Sequence, residues 1–201
     1  MGIYYEIHGE GYPLVLMNGI MMNTASWKEH INILKKYFKV IVYDMRDQGR
    51  SIKMKKNYNI DIHADDLYKF LNYLNLDKVN LLGLSYGGQV AEIFAIKYPE
   101  KINKLILSNT TYKVDKFLVS IGKSWNVAAR LYDGEKFFDL ALPFIYSKDF
   151  YNNNFDWLQN RKKLFKKLLT KDWFDAFIRL SSSNLTFDVT NELSKIKKKL
   201  Y

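Results

Sequence analysis

The sequence predicts an α/β fold, a mostly parallel sheet with helices on both faces, followed by a helical region. Three observations lead there. Short apolar runs alternate with amphipathic helical patterns as far as residue 111, the connections between them are short, and residues 112–195 show helical periodicity without a convincing strand. At 201 residues the chain is long enough to bury a core without disulfides or a structural metal.

Residues 3–8 alternate, and Gly9-Glu10-Gly11 separates them from the apolar run 14–17, so the two segments read as a hairpin. Trp27, Ile31, Leu34 and Phe38 define the inner face of a helix over 27–37, and 40–43 is a buried-strand run. Asp61 is placed to cap the next helix, whose inner face carries Leu67, Phe70, Leu71 and Leu74, with Asp65 and Asp66 favoured near its start by the helix dipole. Residues 79–84 form the next strand, 90–98 a helix closed by Pro99, and 104–107 a further strand.

The absence of cysteine excludes zinc-finger, dithiol and cysteine-nucleophile chemistry. The N-terminus lacks the basic and apolar regions of a signal peptide and no apolar run approaches 18 residues, which predicts a cytoplasmic chain without a membrane span. A net charge of +10 invites a nucleic-acid reading. Lysine supplies 26 of the 31 basic residues, however, beside abundant Asn, Ile and Tyr, the bias expected of A/T-rich codons, and no nucleic-acid partner is predicted. Arg161, Lys162, Lys163, Lys166, Lys167 and Lys171 alternate with Leu158, Leu164, Phe165, Leu168 and Leu169 at helical spacing. That pattern fits either a membrane-surface helix or, more commonly, the solvated face of a docked one.

Gly83-Leu84-Ser85-Tyr86-Gly87 matches G-x-S-x-G, entered from the strand 79–84 and left by a helical pattern. A nucleophile at so tight a strand-to-helix reversal needs small residues two before and two after it, and Gly83, Gly87 and Gly88 meet that need. Ser85 is the candidate nucleophile. In Leu16-Met17-Asn18-Gly19-Ile20 a strand ends in a glycine loop that can bring a backbone N–H toward the serine. The amides of Ile20 and Tyr86 are the candidate oxyanion hole, with Met21 an alternative to Ile20.

These segments resemble the α/β-hydrolase superfamily, in its small esterase, lactonase and haloperoxidase-like subgroup. YYEIHGEGYPLVLMNG is similar to the family's opening strands and oxyanion loop, VIVYDMRDQGRS to its D-x-R-G-x-G-x-S segment, LLGLSYGG to its elbow and YPEKINKLILSNT to the strand after it. The resemblance implies a core over 1–111, a helical cap over 112–190 and the start of a returning core over 191–201. It implies a serine hydrolase of carboxylic esters, thioesters or lactones working through an acyl-enzyme on Ser85, with a small-molecule acyl substrate and neither cofactor nor metal. Asp44 resembles the motif's structural acid.

The departures shape the expectation. Asn18 stands where the family usually has His, and Asp47 where it usually has Gly; both residue types tolerate left-handed turns. The family pattern continues past the cap through two more strands carrying the catalytic acid and His, roughly 60 residues at this fold's usual spacing, whereas this sequence stops at Tyr201. Its three histidines, His8, His30 and His63, precede the elbow and are expected in surface or capping roles, and Asn109, Thr110 and Thr111 occupy the positions after the strand 104–107. The isolated chain is therefore expected to be truncated and inactive, leaving an apolar sheet edge open to a complementing C-terminal fragment or to self-association. The alternative is a catalytically dead module that binds a small ligand or a partner. Phe117, Trp125, Phe137, Phe138, Phe144, Trp157, Trp173 and Phe177 have two uses open to them, lining an acyl pocket or, more commonly, packing the helices together.

Overall fold

The structure, a computed structural model, describes residues 2–197; the last four residues of the segment 191–201 lie outside the described residues. Strands β1 (Tyr5–His8), β2 (Pro13–Met17), β3 (Lys39–Tyr43), β4 (Val79–Leu84) and β5 (Ile102–Ser108) form one sheet in the order β1-β3-β2-β4-β5. Every neighbouring pair is parallel except β1 and β3. The mostly parallel sheet of the sequence reading is present, but the hairpin is not. β1 lies antiparallel to β3, Tyr5 opposite Tyr43 and His8 opposite Val40, while β2 sits between β3 and β4. Burial explains the exchange. Leu14, Val15, Leu16 and Met17 are all buried, so β2 needs cover on both faces and belongs at the sheet centre, whereas partly exposed β1 suits an edge.

The alternation of side chains along the strands divides the core in two. Val15, Met17, Ile41, Tyr43 and Leu81 face helices α2 (Asp61–Tyr73) and α3 (Tyr86–Lys97), meeting Leu67, Phe70, Val90 and Phe94. Leu14, Leu16, Val40 and Val42 face the other way, onto Trp27 and Ile31 of α1 (Lys28–Leu34) and the short 3-10 turn before it. That turn, Thr24–Trp27, takes the first residue of the expected helix over 27–37, because Asn23 caps it with its side chain on the Ala25 N–H. Asp61 is not a cap either. It is the first helical residue of α2, and the Asn59 side chain accepts its N–H.

After β5 come α4 (Lys116–Ala129), α5 (Gly134–Ala141), α6 (Lys148–Asn153), α7 (Phe155–Leu168) and α8 (Lys171–Ser183). Four of them begin at side-chain caps, Asp115, Asp133, Ser147 and Thr170, each accepting a first-turn N–H. These helices have their own core, in which Phe137 meets Trp173, Phe174 and Phe177 edge-on. Phe137, Phe138, Trp173 and Phe177 pack the helices together, Trp125 packs beside Phe177 and also lines a cavity, and Phe117, Phe144 and Trp157 are exposed. The basic stretch is a docked helix. α7 buries Leu158, and Lys162 and Lys166 reach Asp139 and Glu135 of α5 at 2.5 and 3.0 Å. Among the described residues no helix is long and apolar enough to cross a membrane.

One buried ion pair ties the helical layer to the sheet. Asp47, in the loop after β3, takes a positive φ of 64° and accepts two hydrogen bonds from the Arg179 guanidinium of α8 at 3.0 and 2.8 Å. The carboxylate is wholly buried and the guanidinium nearly so. Removing one partner strands a buried charge, which typically costs 3–5 kcal/mol. Arg179→Met is expected to lower the unfolding free energy by about 3 kcal/mol in urea titrations. Most of that loss should return in the Asp47→Asn, Arg179→Met double variant.

Candidate active site

β4 runs straight into Ser85, and α3 begins at the next residue rather than at residue 90. Ser85 adopts φ 52° and ψ −116°, a conformation that costs a non-glycine residue on the order of 1–3 kcal/mol and persists only where its surroundings fix it. Four hydrogen bonds do so here. Its N–H donates to the Ser108 carbonyl at 2.9 Å, and its carbonyl accepts from the Gly88 N–H at 2.8 Å, the Gln89 N–H at 3.2 Å and the Thr110 hydroxyl at 2.8 Å. The glycines are required by closeness. A Cβ on Gly83 would lie 2.6 Å from the Gly87 carbonyl oxygen, and one on Gly88 2.5 Å from the Thr110 Cβ. Gly87 packs on the Met17 and Asn18 carbonyls, which seats the elbow against the end of β2.

Gly19 lies beside the serine, with its Cα bearing toward the Ser85 Cβ. Its loop is braced from behind. Asn18 is buried, its amide nitrogen donating to the Tyr43 carbonyl and to Gln48 while its oxygen accepts from the Trp27 indole at 2.7 Å; Gln48 in turn donates to the Gly19 carbonyl at 2.9 Å. Of the two departures from the family pattern, Asp47 uses its tolerance of the left-handed region and Asn18 does not need to. What the residue contributes is its amide. Asp44 accepts the Thr24 and Arg50 N–H groups at 2.7 and 2.8 Å, a structural role as read from sequence. Among the described residues, neither the Ile20 N–H nor the Tyr86 N–H has a hydrogen-bond partner. Both residues line the same cavity as Ser85.

That cavity measures about 290 Å³ and lies between the elbow and α4. Its apolar wall includes Ile20, Val114, Leu118, Ile121, Trp125 and Leu185, and Gln89 and Asn184 supply amides. Among the described residues no histidine, carboxylate or other charged side chain lines it. Ser85 itself is exposed. The histidines confirm only part of the expectation. His8 pairs with Glu6 at 3.1 Å and His30 is exposed beside Trp27, but His63 is buried under α3. Its ring stands edge-on between Tyr58 and Tyr86, and neither nitrogen has a partner. Burial, with help from the Arg46 guanidinium, pushes its pKa down to about 3.

Sequence reasoning missed Gln89, Asn184 and Arg179. Gln89 had a signal, since it follows Ser85 by one helical turn and must share its face. The others are brought from α8 and its end by tertiary packing, which local pattern does not show.

A serine held at a strained turn between a parallel strand and a helix, under a layer of further helices, defines the α/β-hydrolase class. The chain belongs to the alpha/beta hydrolase fold family, whose model matches residues 12–198. Among solved structures it resembles MGS-M2, an α/β-hydrolase enzyme from a Medee basin deep-sea metagenome library, at 36% identity and a TM-score of 0.95, over 98% of this chain and 74% of that one. A carboxylesterase structure from Nitrososphaera gargenis superposes at 25% identity and a TM-score of 0.81, over 98% of this chain and 74% of that one. The 3-oxoadipate enol-lactonase 2 of Acinetobacter baylyi is 29% identical over 118 residues, 59% of this chain and 42% of that protein. The chain spans less than half the length of the curated relatives it matches.

His63 makes acid stability testable. A histidine depressed below its unfolded value near 6.5 stabilises the fold above that pH, and the contribution is lost as pH falls toward 3. At 1.36 kcal/mol per unit the loss is on the order of 5 kcal/mol. The stability difference between His63→Phe and wild type, measured by denaturant unfolding from pH 8 to pH 4, should shift in favour of the variant as the pH falls.

Proposed function

We propose that this chain carries the nucleophile and oxyanion-binding part of a serine hydrolase acting on carboxylic esters, thioesters or lactones. One observation supports the reading above the rest: Ser85 is exposed at a strained turn, on the same cavity as the unpartnered N–H groups of Ile20 and Tyr86. In the reading, the Ser85 hydroxyl attacks the substrate carbonyl, the two amides hold the developing oxyanion, and the alcohol or thiol leaves as the acyl group passes to Ser85. The elbow and loop glycines, Gly19, Gly83, Gly87 and Gly88, set the backbone for this, and the helices over 112–190 act as the cap over the acyl group. A cytoplasmic place belongs to the same proposal.

A serine hydroxyl without an adjacent base is a poor nucleophile, and in a comparable hydrolase losing the base costs on the order of a millionfold in turnover. With no histidine or carboxylate lining the cavity among the described residues, the proposal assigns the base and its orienting acid to a separate segment, and the 201-residue chain alone to near-inactivity. The same lining favours a second reading, in which the cavity binds a ligand without turnover.

An alkyl fluorophosphonate tests the nucleophile. Over a day of incubation, mass spectrometry should find a slow adduct on Ser85 and none on Ser85→Ala, and p-nitrophenyl acetate hydrolysis should be no faster in wild type than in the variant. No adduct at all would remove Ser85 as nucleophile. Turnover of about 1 per second, an ordinary enzyme rate, would show that the chain holds its own base.

The complementing segment has a place to bind. β5 pairs with β4 alone among the described residues, leaving its other edge, with Leu105 buried and Ile106 and Leu107 partly so, open to strand addition or to a second copy. Light scattering should show concentration-dependent association that a proline at Ile106 weakens. A monodisperse monomer across the concentration range would count against it.

A further inference from the structure

Among the described residues the cavity beside Ser85 has no charged side chain on its walls, yet it holds a polar pair, buried Gln89 and half-buried Asn184, with capacity to spare. Gln89 is only 5% exposed. Its amide oxygen accepts from the Asn184 amide nitrogen at 2.8 Å, and its own nitrogen has no partner among the described residues. The Asn184 side-chain oxygen is unpartnered in the same way. If the two amides exchange nitrogen for oxygen in their assignment, the pair still offers one donor and one acceptor. Of the other buried or half-buried polar groups on the wall, Thr110 donates to the Ser85 carbonyl and Ser181 to Asn126, while the Trp125 indole N–H, like the Gln89 amide nitrogen, has no partner among the described residues. Neither the Gln89 nitrogen nor the Asn184 oxygen is sealed from solvent, so both are open to a ligand entering the cavity, which can replace the water they would otherwise face.

Position connects the pair to the chemistry. Gln89 follows Ser85 by four residues, one turn of α3 or about 6 Å along its axis, on the same face. A cavity of about 290 Å³ admits roughly ten non-hydrogen atoms at water's share of about 30 Å³ each. We propose that the Gln89–Asn184 amide pair is a specificity subsite, selecting short, uncharged acyl groups that carry a carbonyl or hydroxyl a few bonds from the scissile carbonyl. An acyl chain ending in a carboxylate is disfavoured, because entering this wall desolvates its charge with no cation to meet it. The proposal rests on the reading of the cavity as an acyl site.

Three esters of matched length separate the elements: methyl 3-oxohexanoate, methyl hexanoate and monomethyl adipate. Their binding to the 201-residue chain is followed by NMR titration. The keto ester should bind about tenfold tighter than methyl hexanoate, equivalent to 1.4 kcal/mol, and monomethyl adipate more weakly than either. Gln89→Leu should bring the first two within twofold of each other without weakening methyl hexanoate, and Asn184→Leu should reduce the same preference. Equal binding of the first two esters by wild type overturns the subsite, whatever the variants do. So does a preference that survives both substitutions, tightest binding of monomethyl adipate, or no binding of any ester at 10-millimolar order. Fluorophosphonate labelling of the same samples separates the two proposals. Preference without labelling removes the nucleophile and keeps the subsite, while labelling without preference removes the subsite alone.

Discussion

Everything at the candidate site depends on the reversal at Ser85. A strand and a helix can be joined there with no intervening loop only if Ser85 takes φ 52° and if the backbones around it come closer than any side chain permits. The glycines at 83 and 88 supply that closeness, and Thr110 supplies both a steric wall and a hydrogen bond to the Ser85 carbonyl. The strain is therefore held from two directions, by α3 below and by the end of β5 beside it. The Ser85 N–H bonded to Ser108 makes the same point from the strand side. A serine on an ordinary strand would alternate into the core or out of it, whereas this one is lifted off the sheet onto the cavity.

The second constraint is that the glycine loop after β2 must stay open. Its N–H groups are useful only if the loop does not collapse onto the elbow, and the bracing runs through Asn18, Gln48 and Trp27 rather than through the loop itself. The same region holds the two buried carboxylates, Asp44 and Asp47, which serve different ends. Asp44 satisfies backbone N–H groups of two loops, and Asp47 reaches the helical layer through Arg179. The glycine loop after β2, the segment after β3 and α8 are thereby coupled, so the roof of the cavity is fixed by the same residues that fix its floor.

The elbow, the strand sequence and the helical region were legible because each rests on local pattern: an apolar run, a glycine at a fixed offset, a helical period. The hairpin failed for a physical reason of the same kind. Two short runs separated by glycines favour antiparallel pairing in isolation, but the uniform apolarity of residues 14–17 called for a central parallel strand, and that signal outweighs the turn. His63 was misplaced because a histidine near a helix start reads as polar, while its burial is decided by Tyr58 and Tyr86, contributed by a loop and by the elbow helix. The Gln89–Asn184 pair joins residues 95 apart, and only its Gln89 half, one turn after Ser85, has a signal in local pattern.

Charge illustrates the division between what composition says and what the site says. The net +10 is a sum over the whole sequence; in the structure some lysines pair with neighbouring acids, as in Lys97 with Asp65, Lys113 with Asp188 and Lys171 with Asp175. Such exposed, solvent-screened pairs contribute little to stability and orient nothing at the cavity. Among the described residues the cavity wall carries no charged side chain, and its polarity comes from neutral amides, hydroxyls, the Trp125 indole and backbone N–H groups. In the proposed acyl subsite, selection then proceeds by hydrogen-bond complementarity and by the cost of stripping water from an ionised group, both short-ranged and insensitive to salt. The excess positive charge outside is long-ranged and screened within about 10 Å at 0.1 M salt. It can affect how fast an anionic molecule arrives, but not whether the wall that receives it has a place for its charge.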